Sequence, residues 1–165
     1  MMQASKITSY LFIGMVIGYL AWGWLTQVLE RRKLPMLLGA LLSLVVVAGI
    51  MFIPGDANWY IFLFFALGFT QSSQTIAYPL VGEINPMNIN STAISIVSMN
   101  SLFWGGVIAQ PFFAFLMDVY NHSKGLNVDN AQSYQFTMFI LIFACLLALF
   151  FAFMVKETYC KRQVH

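Results

Sequence analysis

The chain has 165 residues, of which 60% are apolar and 8% charged, with a net charge of +2. A soluble domain carries about 25% charge, so eight basic and six acidic side chains cannot cover a water-facing surface. The composition excludes an ordinary soluble enzyme and a disordered segment, and so few scattered positive charges make no footprint for nucleic acid.

A helix crossing a bilayer needs about 20 mostly apolar residues. Five charge-free runs of that order follow one another, at residues 7–29, 35–53, 59–82, 92–117 and 136–155. Every charged side chain falls between or outside them. Barrel strands would be about 9–11 residues long and would alternate in polarity, which these runs do not. The reading is an all-α polytopic membrane protein, a single membrane domain over residues 1–165 with five transmembrane helices, and the lipid bilayer as its first partner.

The first run ends in Glu30-Arg31-Arg32-Lys33 instead of a small-residue cleavage site, so it reads as a retained helix and not as a secretory signal. Gly14 and Gly18 stand four apart, a spacing that lets two helix backbones approach closely. Trp22 and Trp24 read as interfacial anchors near the end of this helix. Pro35 opens the second run where a missing N–H costs nothing, and Pro54-Gly55-Asp56 closes it.

The third run holds Thr70-Gln71-Ser72-Ser73-Gln74-Thr75, then Tyr78-Pro79. At about 100° per residue Gln71, Gln74, Thr75 and Tyr78 fall on one face. An unpartnered amide in hydrocarbon costs several kcal/mol, so this face must meet protein or water. In the fourth run Ser98, Ser101 and Gly105 share a face, Asn100 lies one turn from Trp104, and Pro111 removes a backbone bond and kinks the helix. A polar loop over residues 118–135 leads to the fifth run, which like the second has almost no polar group. The plainer alternative is that these amides and hydroxyls only bond helix to helix, as membrane bundles do at modest energy.

Short connections make successive helices antiparallel. Lys6 and Lys124 then share one side, and Arg31, Arg32, Lys33, Lys156, Lys161 and Arg162 the other. The positive-inside rule puts the second side in the cytoplasm. The expectation is a cytoplasmic (inner) membrane protein with its N-terminus outside and its C-terminus inside.

The passage from Gly23 to Lys33, G-W-L-T-Q-V-L-E-R-R-K, resembles the loop signature of the major facilitator superfamily, G-x-L-a-D-R-x-G-R-R-K. Gly23, Leu25, Arg31, Arg32 and Lys33 match it. Gln27 stands where the family has Asp, Val28 where it has Arg, and Glu30 where it has Gly. Glu83-Ile84-Asn85-Pro86 followed by Ser91-Thr92-Ala93 resembles the family's connection between its tenth and eleventh helices. Gly105-Gly106, Pro111 and Asp118 resemble the eleventh helix and its exit. Lys156-Glu157-Thr158 is like the segment that follows the last helix of the family's sugar porters. The passage from Tyr78 to Asn85 is similar to one in some transporters of intracellular gammaproteobacteria.

This resemblance implies that the five runs are helices eight to twelve of a twelve-helix fold, whose substrate sits between two halves near the midplane. The chain would then be a truncated secondary transporter of a small polar solute such as a sugar or amino acid. Its partners would be that solute and the missing N-terminal half, with no nucleic acid, and alone it would be inactive. Gln71, Gln74, Thr75, Tyr78, Asn100 and Trp104 would line the solute path. Gly23, Gln27, Arg31, Arg32, Lys33 and Glu83 would form the cytoplasmic gate, with Glu83 paired to Arg31 or Arg32. No catalytic residue, cofactor or metal site is expected, since His122 and His165 have no ligand partners at metal spacing. The rival reading is a complete small five-helix accessory subunit that oligomerises through the Gly14–Gly18 face.

Overall fold

In the computed structural model the described residues are 2–53, 55–124 and 131–160, with side chains described outside 2–5, 123–124 and 131–135. Pro54, Gly125, Lys161, Arg162 and His165 lie outside the described residues. Among the described residues seven α-helices follow in order: α1 Met2–Leu29, α2 Lys33–Phe52, α3 Ala57–Gln71, α4 Ala77–Ile84, α5 Asn90–Leu102, α6 Gln110–Lys124 and α7 Ala131–Met154. A 3₁₀ segment, Ser72–Ile76, joins α3 to α4, and a π segment, Phe103–Ala109, joins α5 to α6. The result is five helical rods, with no strand among the described residues.

Each irregular segment contains the residue four before a proline. Thr75 would otherwise receive an N–H from position 79, and Val107 one from position 111. Proline has no N–H to give, and its ring crowds that carbonyl. The third rod answers by tightening and the fourth by widening, both recognised local responses of a helix to such a conflict. The distortion expected at Pro111 therefore falls on the turns before it.

The rods outrun the charge-free runs. Residues 118–124 and 131–135 are helical, where a loop over 118–135 was expected. A charge must leave the hydrocarbon, but it has no reason to end a helix once in water. Four helical stretches are long and apolar enough to cross a membrane, by length and composition: Lys6–Leu29, Lys33–Phe52, Asn90–His122 and Phe136–Met154. The third rod is interrupted by its 3₁₀ turn.

Burial is inverted relative to a soluble protein. Leu20, Val16, Phe12, Phe62, Phe143 and Phe151 stand exposed on the outside, while Thr26, Ser43, Thr70, Ser72, Thr137 and Thr158 are buried. Small and hydroxyl-bearing interiors under an apolar exterior are what helix packing in lipid selects. Thr26, Ser43, Thr70 and Ser72 each donate to the carbonyl three residues back, at 2.6–3.0 Å, which meets their hydrogen-bonding need without a partner helix.

The tightest seam joins α1 and α3. A Cβ placed on Gly14 would fall on the carbonyl of Phe65, one on Gly18 on the Ser72 hydroxyl, and one on Gly68 on the carbonyl of Leu11. Gly14 and Gly18 thus serve packing within the chain, and their face is already filled and closed to a second copy. Trp22 is 3% exposed and packs on Phe69. It is a buried cross-helix donor rather than the interfacial anchor its sequence position suggests. Trp24 does face outward. Elsewhere α2 packs on α7 and α3. The fourth rod touches α4 at one end and α7 at the other, and stands clear of α1 and α2 among the described residues.

Candidate functional site

Two polar regions sit on this frame, one at the basic end of the bundle and one near its middle. The first begins with α2, whose first N–H groups need acceptors and whose N-cap, Arg32, gives them no side-chain bond. Glu157, just beyond α7, supplies both: its Oε1 accepts the N–H of Arg32 at 2.7 Å and its Oε2 that of Lys33 at 3.0 Å. Thr158 and Tyr159 add their own N–H groups to Oε1. Burial pushes the Glu157 carboxyl up, and the four backbone N–H donors outweigh it and hold the group below the ordinary carboxylate value.

Glu157 frees the Arg32 side chain for a second carboxylate. Nη2 and Nε of Arg32 donate to Oε1 of Glu83 at 2.7 and 3.1 Å, and Nη1 donates to the Thr26 hydroxyl at 3.1 Å. The other oxygen of Glu83 accepts the hydroxyl of Thr158. Both partners are nearly buried, at 13% and 14% exposed side chain. A charge pair in that setting holds only when its remaining donors and acceptors are met, and here both oxygens of Glu83 and three N–H groups of Arg32 have partners. The cluster ties the ends of α1, α2 and α4 to the segment after α7. Cys160 completes it, its thiol 3.5 Å from the carbonyl of Thr26. Burial raises the thiol pKa, and the nearby carboxylates of Glu83, Glu157 and Glu30 outnumber Arg32, which opposes them.

Of the residues expected at this end, Arg32 and Glu83 pair directly, and Lys33 donates its Nζ to the carbonyl of Phe153 at 2.6 Å. Arg31 points away, exposed, and Gln27 and Gly23 are exposed as well. Gly23 takes part only through its carbonyl, which accepts the Thr26 hydroxyl. Thr26, Glu157 and Thr158 were not among the expected site residues. A helix start with no capping side chain of its own was the available signal for Glu157.

The second region lies on the third rod. At about 120° per residue a 3₁₀ turn eclipses positions i and i+3, so Gln71 and Gln74 stand one above the other. Both line a partly enclosed cavity of about 290 Å³ between α2, the third rod, α5 and α7, together with Ser43, Thr70, Ser73 and Ser101. The same change of pitch takes Thr75 off their face, and its hydroxyl donates to the carbonyl of Ser72 at 2.8 Å. Tyr78 is half-buried, next to Ala77, which does line the cavity; Asn100 and Trp104 are exposed on the fourth rod, Trp104 at 61%. None of these four residues lines the cavity. The six expected path residues thus divide into one cavity pair and four separate positions.

Among the described residues no group of His, Cys, Asp and Glu could hold a metal ion. The sequence profile described as Major Facilitator Superfamily matches residues 2–163. No curated protein and no solved structure matches the chain.

Proposed function

The chain belongs to the Major Facilitator Superfamily, and on that premise we propose that it forms part of the C-terminal wall of a secondary transporter for a small, neutral or zwitterionic polar solute. The supporting observation is the Gln71–Gln74 pair, two amides held in one line on a membrane-length rod and left to face a cavity instead of another helix. Amides suit a solute that offers hydroxyls or its own amides. The residues around them carry no fixed charge, which disfavours a dicarboxylate or phosphate at this wall.

The Arg32–Glu83 pair is the gate contact of this reading. It closes the basic, cytoplasmic end by bonding α2 to α4, and Glu157 and Thr158 fasten the chain after α7 over it. Opening that end requires the pair to part. The chain sits in the inner membrane with the N-terminus outside, by the charge bias of its ends.

Alternating access needs two bundles rocking against each other around one site. Five rods supply one wall, so the chain alone does not move solute. The test is reconstitution into liposomes, followed by uptake of labelled sugars and neutral amino acids. The expected result is no uptake above empty vesicles, and saturable uptake by the chain alone would overturn the requirement for a counterpart.

A further inference from the structure

We propose that the 290 Å³ cavity faced by Gln71 and Gln74 is the part of the solute path that binds, and that it takes a small polyol. The inference rests on reading Gln71 and Gln74 as solute-facing. Its new content is the place of the site and the class of ligand.

The place follows from the walls. If the polar rods alone lined the path, α2 and α7 would contribute nothing to it. Here α2 contributes Met36 and Ser43, and α7 contributes Ala148 and Ala152, although their sequences mark both as supports. Gly39 lets α2 pack close against the third rod beside the cavity: a Cβ there would fall on the Ser73 hydroxyl. Ser101, itself exposed, borders the cavity from the fourth rod.

The ligand class follows from the bonds left over. Ser43 and Thr70 spend their hydroxyl protons on the carbonyls of Ala40 and Leu67, so they offer the cavity only lone pairs. Gln71 and Gln74 make no side-chain hydrogen bond to the described residues, and each brings both a donor and an acceptor. Eclipsed in the 3₁₀ turn, the two stand about 6 Å apart along the axis, from a rise of about 2 Å per residue. A run of hydroxyls on a short carbon chain gives and takes at that spacing. An ionic ligand would find no counter-charge, and an apolar one would leave both amides unmet. The volume is close to the lower end of ligand pockets, about 300 Å³, which suits a polyol no larger than a hexitol.

The experiment uses the full chain in lipid vesicles, with Cys145 and Cys160 replaced by alanine and a single new thiol. Ser101→Cys places it at the border of the cavity, and Leu102→Cys places it one residue away on the exposed apolar side. Alkylation by maleimide, which needs water at the thiol, is followed with and without glycerol, erythritol or sorbitol. Circular dichroism checks that each variant keeps its helix content.

The expected result is alkylation of Ser101→Cys and not of Leu102→Cys, slowed severalfold by at least one polyol. Gln71→Leu with Gln74→Leu should abolish that protection. Alkylation that no polyol slows would overturn the ligand assignment and leave the wet face standing. Ser101→Cys as unreactive as Leu102→Cys would overturn both.

Discussion

The indole N–H of Trp22 donates to the backbone carbonyl of Phe69 at 2.8 Å, and the Ser72 hydroxyl reaches the same oxygen at 2.6 Å. That carbonyl lies just before the 3₁₀ turn, so α1 is fastened to the third rod where its pitch changes. Trp22→Phe keeps the ring on Phe69 and removes one donor. The expected loss is about 1 kcal/mol, the net worth of one such bond, measured by unfolding in mixed detergent.

The α1–α3 seam should tolerate much less. Gly14→Val or Gly68→Val drives a side chain into a backbone carbonyl, which cannot rotate away. Overpacking of this kind costs roughly 1–3 kcal/mol or more. Gly105→Val, with nothing within 4 Å of its added Cβ, should change stability little. Comparing the three in one unfolding assay checks the prediction.

Breaking the nearly buried ion pair from one side should be costly. Glu83→Gln leaves the Arg32 guanidinium without its counter-charge, with an expected loss of roughly 3 kcal/mol. Arg31→Gln, at an exposed side chain, should have almost no effect. A double-mutant cycle with Arg32→Gln and Glu83→Gln should show strong coupling.

The five rods were legible because hydrocarbon excludes charge and sets a minimum length, both visible in a single sequence. The Arg32–Glu83 contact was legible as well, through Glu83 and the basic loop, though not which arginine would make it. The local pitch was not read. Assuming about 100° per residue throughout put Gln71, Gln74, Thr75 and Tyr78 on one face, and Pro79 was the clue that this would fail. Glu157 acts 125 residues away from Arg32, and no periodicity encodes a contact of that range. Trp22 looked like an anchor because burial depends on a neighbouring rod that the local sequence does not show.

Glu30 has φ of 47°, in the left-handed region where a Cβ costs about 1–2 kcal/mol. It occupies the position where the loop signature has glycine, which accepts that backbone freely. Glu30→Gly should therefore stabilise the chain by about 1 kcal/mol, read as a higher midpoint of unfolding.

The docking of Glu157 on α2 should be sensitive to acid. Its folded pKa is held below the ordinary 4.5, so the released segment takes up a proton more readily than the docked one. The contribution is complete above that ordinary value and is lost as pH falls through the lowered one. Limited proteolysis after Met154 should accelerate on acidification in the native chain. In Glu157→Gln it should be fast at neutral pH and change little further.

Spin labels in a bilayer give the most direct test of the central claim, that the Gln71–Gln74 face is wetted. Labels at Gln71→Cys and Gln74→Cys, in a background without the native thiols, are compared with one at Phe62→Cys on the apolar exterior. The account predicts that a water-soluble nickel chelate relaxes the first two strongly, and that oxygen, which concentrates in lipid, relaxes the third. Oxygen-dominated relaxation at both glutamine positions, with helix content intact, would contradict it.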